Sequence, residues 1–264
     1  MPELPDVEGF RRYWSRYMTG ERVRRVEVPA PAIVRNRSAR ALGQALAGRR
    51  FSRPDRHGKW MIAQTDGPTL LLHFGMTGGL HWSGHDGQDR HRHDRLIVVT
   101  SDGEMRYRNM RMLGGAWLAR DESELEGIVG SLGPDAAGLD ADELTALLDG
   151  RRGGVKATLM NQRVLAGIGN ELSDEILWRA RIHPGRPVRD LGPRKLRELT
   201  RATGEVLAES NRHGRIPRER GWLEEQRGHR DARCPRCGRR LRRSRIAGRT
   251  SYWCPRCQRP NSPH

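Results

Sequence analysis

Between Met1 and Arg120 the apolar positions fall at the spacing of β-strands. Arg22–Val28 alternates, and Trp60–Gln64, Leu70–Phe74, Leu96–Thr100 and Trp117–Ala119 are short apolar runs of strand length. Turn-forming clusters such as Thr65-Asp66-Gly67 and Ser101-Asp102-Gly103 separate them, the punctuation of a sandwich or barrel. One helix is predicted ahead of the strands, over Pro5–Met18. Pro5 and Asp6 suit its first turn, and Val7, Phe10, Trp14 and Tyr17 share a face. Beyond Leu132 the period lengthens to that of helices. Asp140–Leu148 opens like a capped helix, Lys156–Asn161 and Glu171–Arg179 flank the turn Leu165–Asn170, and Pro193–Ser210 gives a fourth. Short helices joined by Gly-rich turns suit a helix-turn-helix-like clamp on a nucleic-acid backbone. Trp14, Trp60, Trp117 and Trp178 read as core anchors, and the acidic run Asp121–Glu126 as a solvated linker.

The expected fold is therefore α+β and multi-domain. An N-terminal β-sandwich with a leading helix covers residues 1–125, a helical domain 126–215, and a linker with a C-terminal zinc-finger β-hairpin 216–264.

Composition narrows the partners. The 264 residues carry a net charge of +17, with 31% charged and 35% hydrophobic residues. A surplus of that size implies a polyanion, because neutralising phosphates releases counterions. From Asn211 onward there are sixteen Arg against four acidic residues, so much of the charge sits in the tail. No stretch approaches the ~18–20 apolar residues that span a bilayer, and the first twenty residues do not form a secretory signal. A cytoplasmic, nucleoid-associated monomer without a membrane partner is expected. The chain has only three lysines, Lys59, Lys156 and Lys195, so each is a candidate for a place where a compact ammonium is needed and a guanidinium fork is not.

All four cysteines lie in the basic tail. Cys234-Pro235-Arg236-Cys237 and Cys254-Pro255-Arg256-Cys257 are two C-x-x-C knuckles with sixteen residues between them. Four thiolates at this spacing predict one closed, structural Zn2+ site. A redox pair is the alternative, but nothing nearby is thioredoxin-like. The intervening hairpin bears Arg239, Arg240, Arg242, Arg243, Arg245 and Arg249, as befits a nucleic-acid or partner module.

The N-terminus, Met1-Pro2-Glu3-Leu4-Pro5-Asp6, carries the chemistry. Proline at the second position predicts removal of Met1, which leaves a secondary amine. An α-amine with an unperturbed pKa near ~8 is partly neutral and nucleophilic at physiological pH. Attack by such an amine on a sugar C1′ gives an iminium ion directly, and Glu3 next to it could shuttle protons.

These residues belong to a larger pattern. Met1–Pro5, Arg56-His57-Gly58-Lys59-Trp60, His73-Phe74-Gly75-Met76-Thr77-Gly78, Leu132-Gly133-Pro134-Asp135, Lys156 through Asn170 to His183-Pro184, and the four-cysteine finger occur in order. In all six the chain resembles the formamidopyrimidine-DNA glycosylase / endonuclease VIII family. The resemblance implies a helix–two-turns–helix DNA-binding domain in the middle of the chain. It implies a bifunctional DNA glycosylase/AP lyase of base-excision repair that acts on damaged double-stranded DNA and proceeds by β,δ-elimination. Pro2 would be the Schiff-base nucleophile, Glu3 the acid that protonates the ribose ring oxygen, and Lys59 a catalytic contact to the phosphate near the lesion. His73, Lys156, Asn170 and Arg249 would hold the DNA, and Glu175 would belong to the surroundings of the active site. Met76, Arg111 and Leu113 would fill the void left by the flipped nucleotide. A non-catalytic zinc-dependent damage-binding protein on the same scaffold, and a zinc-ribbon RNA-binding or transcription protein, are the alternatives.

Three departures from the family pattern bear on substrate. Leu113 stands where a Phe is usual, and Glu171-Leu172 where an Ile-Tyr pair is usual. The segment 211–232 is short and Arg-rich, with Trp222 as its only aromatic, whereas members specific for 8-oxoguanine carry a longer capping loop. Oxidised pyrimidines, ring-opened purines or bulkier adducts are expected in its place. His85, His91 and His93 read as a solvated loop and not as a metal cluster.

Overall fold

The computed structural model describes residues 1–84 and 89–260. They divide into two units, Met1–Pro2 with Asp6–Ser131, and Glu3–Pro5 with Leu132 onward.

In the first unit, helix α1 (Leu4–Met18) buries Val7, Trp14 and Met18 along one face. Two antiparallel four-stranded sheets follow. One has the order β1 (Arg25–Glu27), β6 (Asp94–Val99), β7 (Gly103–Asn109), β5 (Gly78–Gly84). The other has the order β2 (Asp55–His57), β3 (Trp60–Ala63), β4 (Thr69–His73), β8 (Gly115–Ala119). Alternate residues from each, among them Met61, Ala63, Leu70, Leu72, Leu96, Val98, Met105 and Tyr107, form one core, as the two-residue side-chain period requires. Helix α2 (Ala39–Leu46), capped by Ser38, adds Leu42 and Leu46 to it.

The sequence pattern did not foresee β5 and β7. The outward residues of β7 are Glu104, Arg106 and Arg108, ion-paired to one another or to Asp94, and these charges mask the inward Met105 and Tyr107. Of the alternating stretch Arg22–Val28, only Arg25–Glu27 pairs with β6. The acidic run also needs correction. Glu122–Val129 is helix α3, with Asp121 as its cap, and Leu125 packs on Ile62, Leu71 and Ala119 from the outer face of the second sheet. Glu124 accepts from Arg37 at 2.6 Å and also pairs with Arg120, so the run is an anchored helix and not a linker, although Asp121, Glu122 and Glu126 are exposed to solvent as expected. His91 and His93 accept from a backbone N–H and from Arg95, consistent with an ordinary loop, and His85 lies outside the described residues.

In the second unit, α4 (Ala141–Leu148) begins with the Asp140/Glu143 capping box. Helices α5 (Val155–Met160), α6 (Asn170–Arg179) and α7 (Pro193–His213) follow, α7 running three residues past the expected end to Gly214, whose φ of 64° closes it. Leu4, Leu144, Leu159, Ile176, Leu199 and Val206 share their core. The tail forms the hairpin β9 (Arg242–Ile246) and β10 (Arg249–Trp253), packed with Trp178, Leu223 and the cysteines. Among the described residues no helix is long and apolar enough to cross a membrane.

Candidate active site

Within the second unit, Leu4 is tied to the turn that precedes α6. Leu4 N–H donates to Gly167 O, and the Leu4 side chain lies where a Cβ on Gly167 would be, 2.3 Å away. This brings the Glu3 carboxylate, wholly buried, onto the N-terminus of α6. There it accepts from the backbone N–H groups of Gly169 (2.8 Å), Glu171 (2.8 Å) and Leu172 (3.1 Å). These are donors that a helix start leaves without intrahelical partners, and they suit an anion. Gly169 is required by the approach, since a Cβ there would sit 2.3 Å from Glu3 Cδ.

The same helix organises a hydrogen-bond network with the hairpin. Asn170, its first residue, donates through Nδ2 to Thr250 O of the hairpin and accepts at Oδ1 from Lys156 Nζ at 2.8 Å. Lys156 also donates to Asp174 Oδ1 and Ser251 Oγ, both at 2.6 Å. A role for Lys156 in gripping phosphate directly is thereby corrected: its ammonium is 0% exposed and all three of its N–H groups are committed inside the protein. Lys156 and Asp174, with Arg227 at 2.8 Å from Asp174 and Tyr252 N–H on the same carboxylate, lock the hairpin to Asn170. Arg249, at the start of β10, is exposed. Asp174, Ser251 and Arg227 were not foreseen; Asp174 lies one turn beyond Asn170, which was the available signal.

The hairpin is closed by the cysteines. The Sγ atoms of Cys234, Cys237, Cys254 and Cys257 lie within 4.8 Å of one another, with Cys234–Cys257 at 3.9 Å and Cys237–Cys254 at 3.5 Å. Tetrahedral zinc with Zn–S bonds of about 2.3 Å needs sulfurs at close to these separations. Trp178 Nε1 donates to Cys234 Sγ at 3.3 Å, an outer contact that orients a ligand.

In the first unit, Gly58 (φ 56°) and Lys59 form the two-residue turn between His57 and Trp60, so the backbone carries Lys59 at a hairpin tip. His73 lies near it. Burial, reinforced by the Lys59 charge, lowers the imidazole pKa to about 4, and Nδ1 accepts from Gly75 N–H. His73 is thus a neutral ring with Nε2–H as its remaining donor. Beside it Met76 and Leu113 are exposed, and Arg111 reaches Met76 Sδ at 3.3 Å.

Sequence models for three domains match in order: the formamidopyrimidine-DNA glycosylase N-terminal domain over residues 1–116, its H2TH domain over 132–218, and the zinc finger found in FPG and IleRS over 233–260. The chain belongs to the formamidopyrimidine-DNA glycosylase family. It is 35% identical to the formamidopyrimidine-DNA glycosylase of Alkalilimnicola ehrlichii, covering 98% of this chain and 100% of that one. Against the enzyme of Geobacter metallireducens the identity is 34%, with the same coverage. Among solved structures it resembles the Lactococcus lactis protein in complex with DNA containing N7-benzyl-Fapy-dG, at TM-score 0.87 and 28% identity. It also resembles that protein bound non-covalently to DNA with an AP site, at 0.88 and 27%. Each comparison covers 98% of this chain and all of the other.

Membership in this glycosylase family gives the segment before the finger its interest. Glu175, fully buried, accepts from Leu223 N–H at 2.8 Å and from Glu224 N–H, while Arg179 donates to its other oxygen. Burial is the largest influence on this carboxyl and raises its pKa to about 7. Trp222, the one aromatic of the segment, is buried under the Arg179 guanidinium, 4.2 Å from the ring centroid. Glu175 therefore pins this segment to α6, and Trp222 is spent in the core.

Proposed function

We propose that this chain is a bifunctional DNA glycosylase/AP lyase of base-excision repair, in which Pro2 is the nucleophile and Glu3 moves the protons. The observation that carries this reading is the buried Glu3 carboxylate, held by three N–H groups immediately after Pro2 in the chain. Donors of this kind suit the carboxylate form, so Glu3 must first collect a proton. The Pro2 ammonium is the adjacent source. Its deprotonation by Glu3 frees the amine for attack on C1′. The C1′–O4′ bond breaks as that proton passes on to the ribose ring oxygen, and the nitrogen then gives up its remaining proton to the base, which leaves as the C1′–base bond breaks. The resulting iminium permits β- and then δ-elimination of the phosphates. Lys59, carried on its hairpin turn, serves the phosphate beside the lesion. His73, Asn170 and Arg249 hold the backbone, and Lys156 and Glu175 support them from within. Met76, Arg111 and Leu113 occupy the vacated stack. The zinc is structural: it fixes the hairpin that bears Arg249.

The names of the relatives point to ring-opened purines, and the pinned segment around Trp222 favours a pocket without an aromatic cap, open to ring-opened or bulky bases. We infer a monomer acting in the cytoplasm on chromosomal DNA. The test is borohydride trapping on an abasic-site duplex. The protein lacking Met1 should form a covalent adduct, and the Pro2→Gly and Met1-retaining forms should lose it. Tight binding without an adduct would favour the non-catalytic damage-binding protein.

A further inference from the structure

Large apolar side chains are exposed at four places among the described residues: Met1, Met76 (40%), Met110 (53%) and Leu113 (55%). Two of these, Met76 and Leu113, belong to the wedge, and Met110 has no role in the reading above. It projects from the loop between β7 and β8 that also bears Arg111 and Leu113.

That loop is held rigidly on the sandwich. Asn109, fully buried, accepts at Oδ1 from Met112 N–H (2.9 Å) and Thr77 Oγ1–H (3.3 Å). It donates through Nδ2 to Phe74 O (3.3 Å) and Tyr107 Oη (2.8 Å). One side chain thus ties the strand end before Met110 to the turn that bears Met76. Tyr107 Oη–H donates in turn to His73 O. Arg111 N–H donates to Thr77 Oγ1, and Arg35 donates to the carbonyls of Met112 and Gly114, each at 2.6 Å. The turns touch backbone to backbone, since a Cβ on Gly75 would lie 2.4 Å from Gly114 N. Met112 takes a left-handed φ of 51° and packs inward on the core, so Met110, Arg111 and Leu113 all face solvent.

We propose that Met110 is a further wedge residue, which enters the duplex beside Met76 and Leu113 when the damaged nucleotide is extruded. This rests on the wedge reading given above. Soluble proteins do not keep several large apolar groups exposed on one rigid platform without a surface to meet them, and base faces are such a surface. An unbranched thioether adapts to the faces of different bases. In this chain it supplies apolar area at a site where Leu113 lacks the stacking power of an aromatic ring. Asn109 is then the positioning residue for the platform.

The test compares Met110→Ala and Met110→Leu with Met76→Ala and Leu113→Ala. Two quantities are read: the ratio of strand-cleavage rates on an abasic site in duplex and in single-stranded DNA, and the fluorescence change of 2-aminopurine opposite a tetrahydrofuran site. The second requires no turnover. Met110→Ala should lower the duplex-to-single-strand ratio by about tenfold, on the order of losing most of one buried apolar side chain, and should shrink the fluorescence change. Met110→Leu should restore both. If Met110→Ala matches wild type in both while Met76→Ala and Leu113→Ala do not, the Met110 assignment is wrong and the wedge stands. If all three alanine variants match wild type, the wedge reading itself falls, and the Met110 assignment with it.

Discussion

Placing one methyl group on Gly169 tests the proposed catalytic geometry without replacing the Glu3 side chain. Gly169 has φ −122° and ψ −156°, an extended conformation open to alanine, so Gly169→Ala introduces no backbone strain. The new Cβ would lie 2.3 Å from Glu3 Cδ and 2.4 and 2.7 Å from its two oxygens, far inside van der Waals contact. The carboxylate must therefore leave the three N–H groups that hold it. Hydrogen bonds to a charged group contribute about 1.5–3 kcal/mol each. The displaced carboxylate recovers part of this from water, so the expected loss of stability is about 2–4 kcal/mol. The expected loss of chemistry is larger. A positioned proton-transfer group contributes roughly 10²–10⁴-fold, and base release should fall by about 10²-fold or more, approaching Glu3→Gln. The assay is single-turnover release of a formamidopyrimidine base from duplex DNA, with affinity for a tetrahydrofuran duplex measured alongside to show that the fold and grip survive. Gly204→Ala is the control: it lies in α7 with nothing within 4 Å of its Cβ position, and should leave both unchanged. A folded Gly169→Ala protein that releases base at the wild-type rate would refute the role assigned to the held carboxylate.

Two further perturbations probe the supports. Lys156→Met leaves Asp174 buried with only Arg227 as its cation. Loss of one partner from a buried pair costs about 3–5 kcal/mol, and the remaining Arg227 places the expected loss near the lower end. Urea denaturation should read this, DNA affinity should fall as the hairpin comes loose from Asn170, and Lys156→Met with Asp174→Asn should recover part of the stability; equal stability in the single and double variants would contradict the network. Glu175 has a folded pKa of about 7 against a reference of 4.5. Its contribution to stability is therefore fully present below about pH 4.5 and is lost as pH rises through 7. At about 1.4 kcal/mol per unit, the loss is at most about 3 kcal/mol. The stability of wild type relative to Glu175→Gln should accordingly decline between about pH 5 and 8, and a gap that stays constant or widens would show that Glu175 is not held by burial in this way.

Much of this site was legible because its chemistry demands particular residue types. The C-x-x-C pairs, the Pro2-Glu3 start and the scarcity of lysine each had a reading before any fold was known. Lys156 is required as a compact ammonium, but one that fits three short hydrogen bonds in a sealed space, where a phosphate cannot reach it. Two of the elements that stayed hidden, β7 and α3, were hidden by charge. Strand β7 reads as polar because Glu104, Arg106 and Arg108 neutralise one another or Asp94 across the outer face of the sheet. Helix α3 reads as a linker because its acids precede the apolar Leu125, Ile128 and Val129 that dock it. Periodicity counts residues and does not register ion pairs between strands.

Helix α6 carries most of the contacts on which the proposed function rests. In ten residues it performs five different tasks. Its N-terminal N–H groups hold Glu3, and Asn170 reaches the hairpin carbonyl. Asp174 gathers Lys156, Arg227 and the Tyr252 amide, Glu175 fixes Leu223 and Glu224, and Trp178 donates to a cysteine sulfur. A residue committed to such a contact is replaced only by one that can make the same contact. The stretch from Gly169 to Trp178 is therefore constrained by chemistry at nearly every second position, whereas the strands of the sandwich need only alternate. This also explains how Glu171 is tolerated beside a buried carboxylate. The helix uses its backbone N–H toward Glu3 and leaves its side chain outside the buried set, so the departure in residue type does not disturb the Glu3 carboxylate.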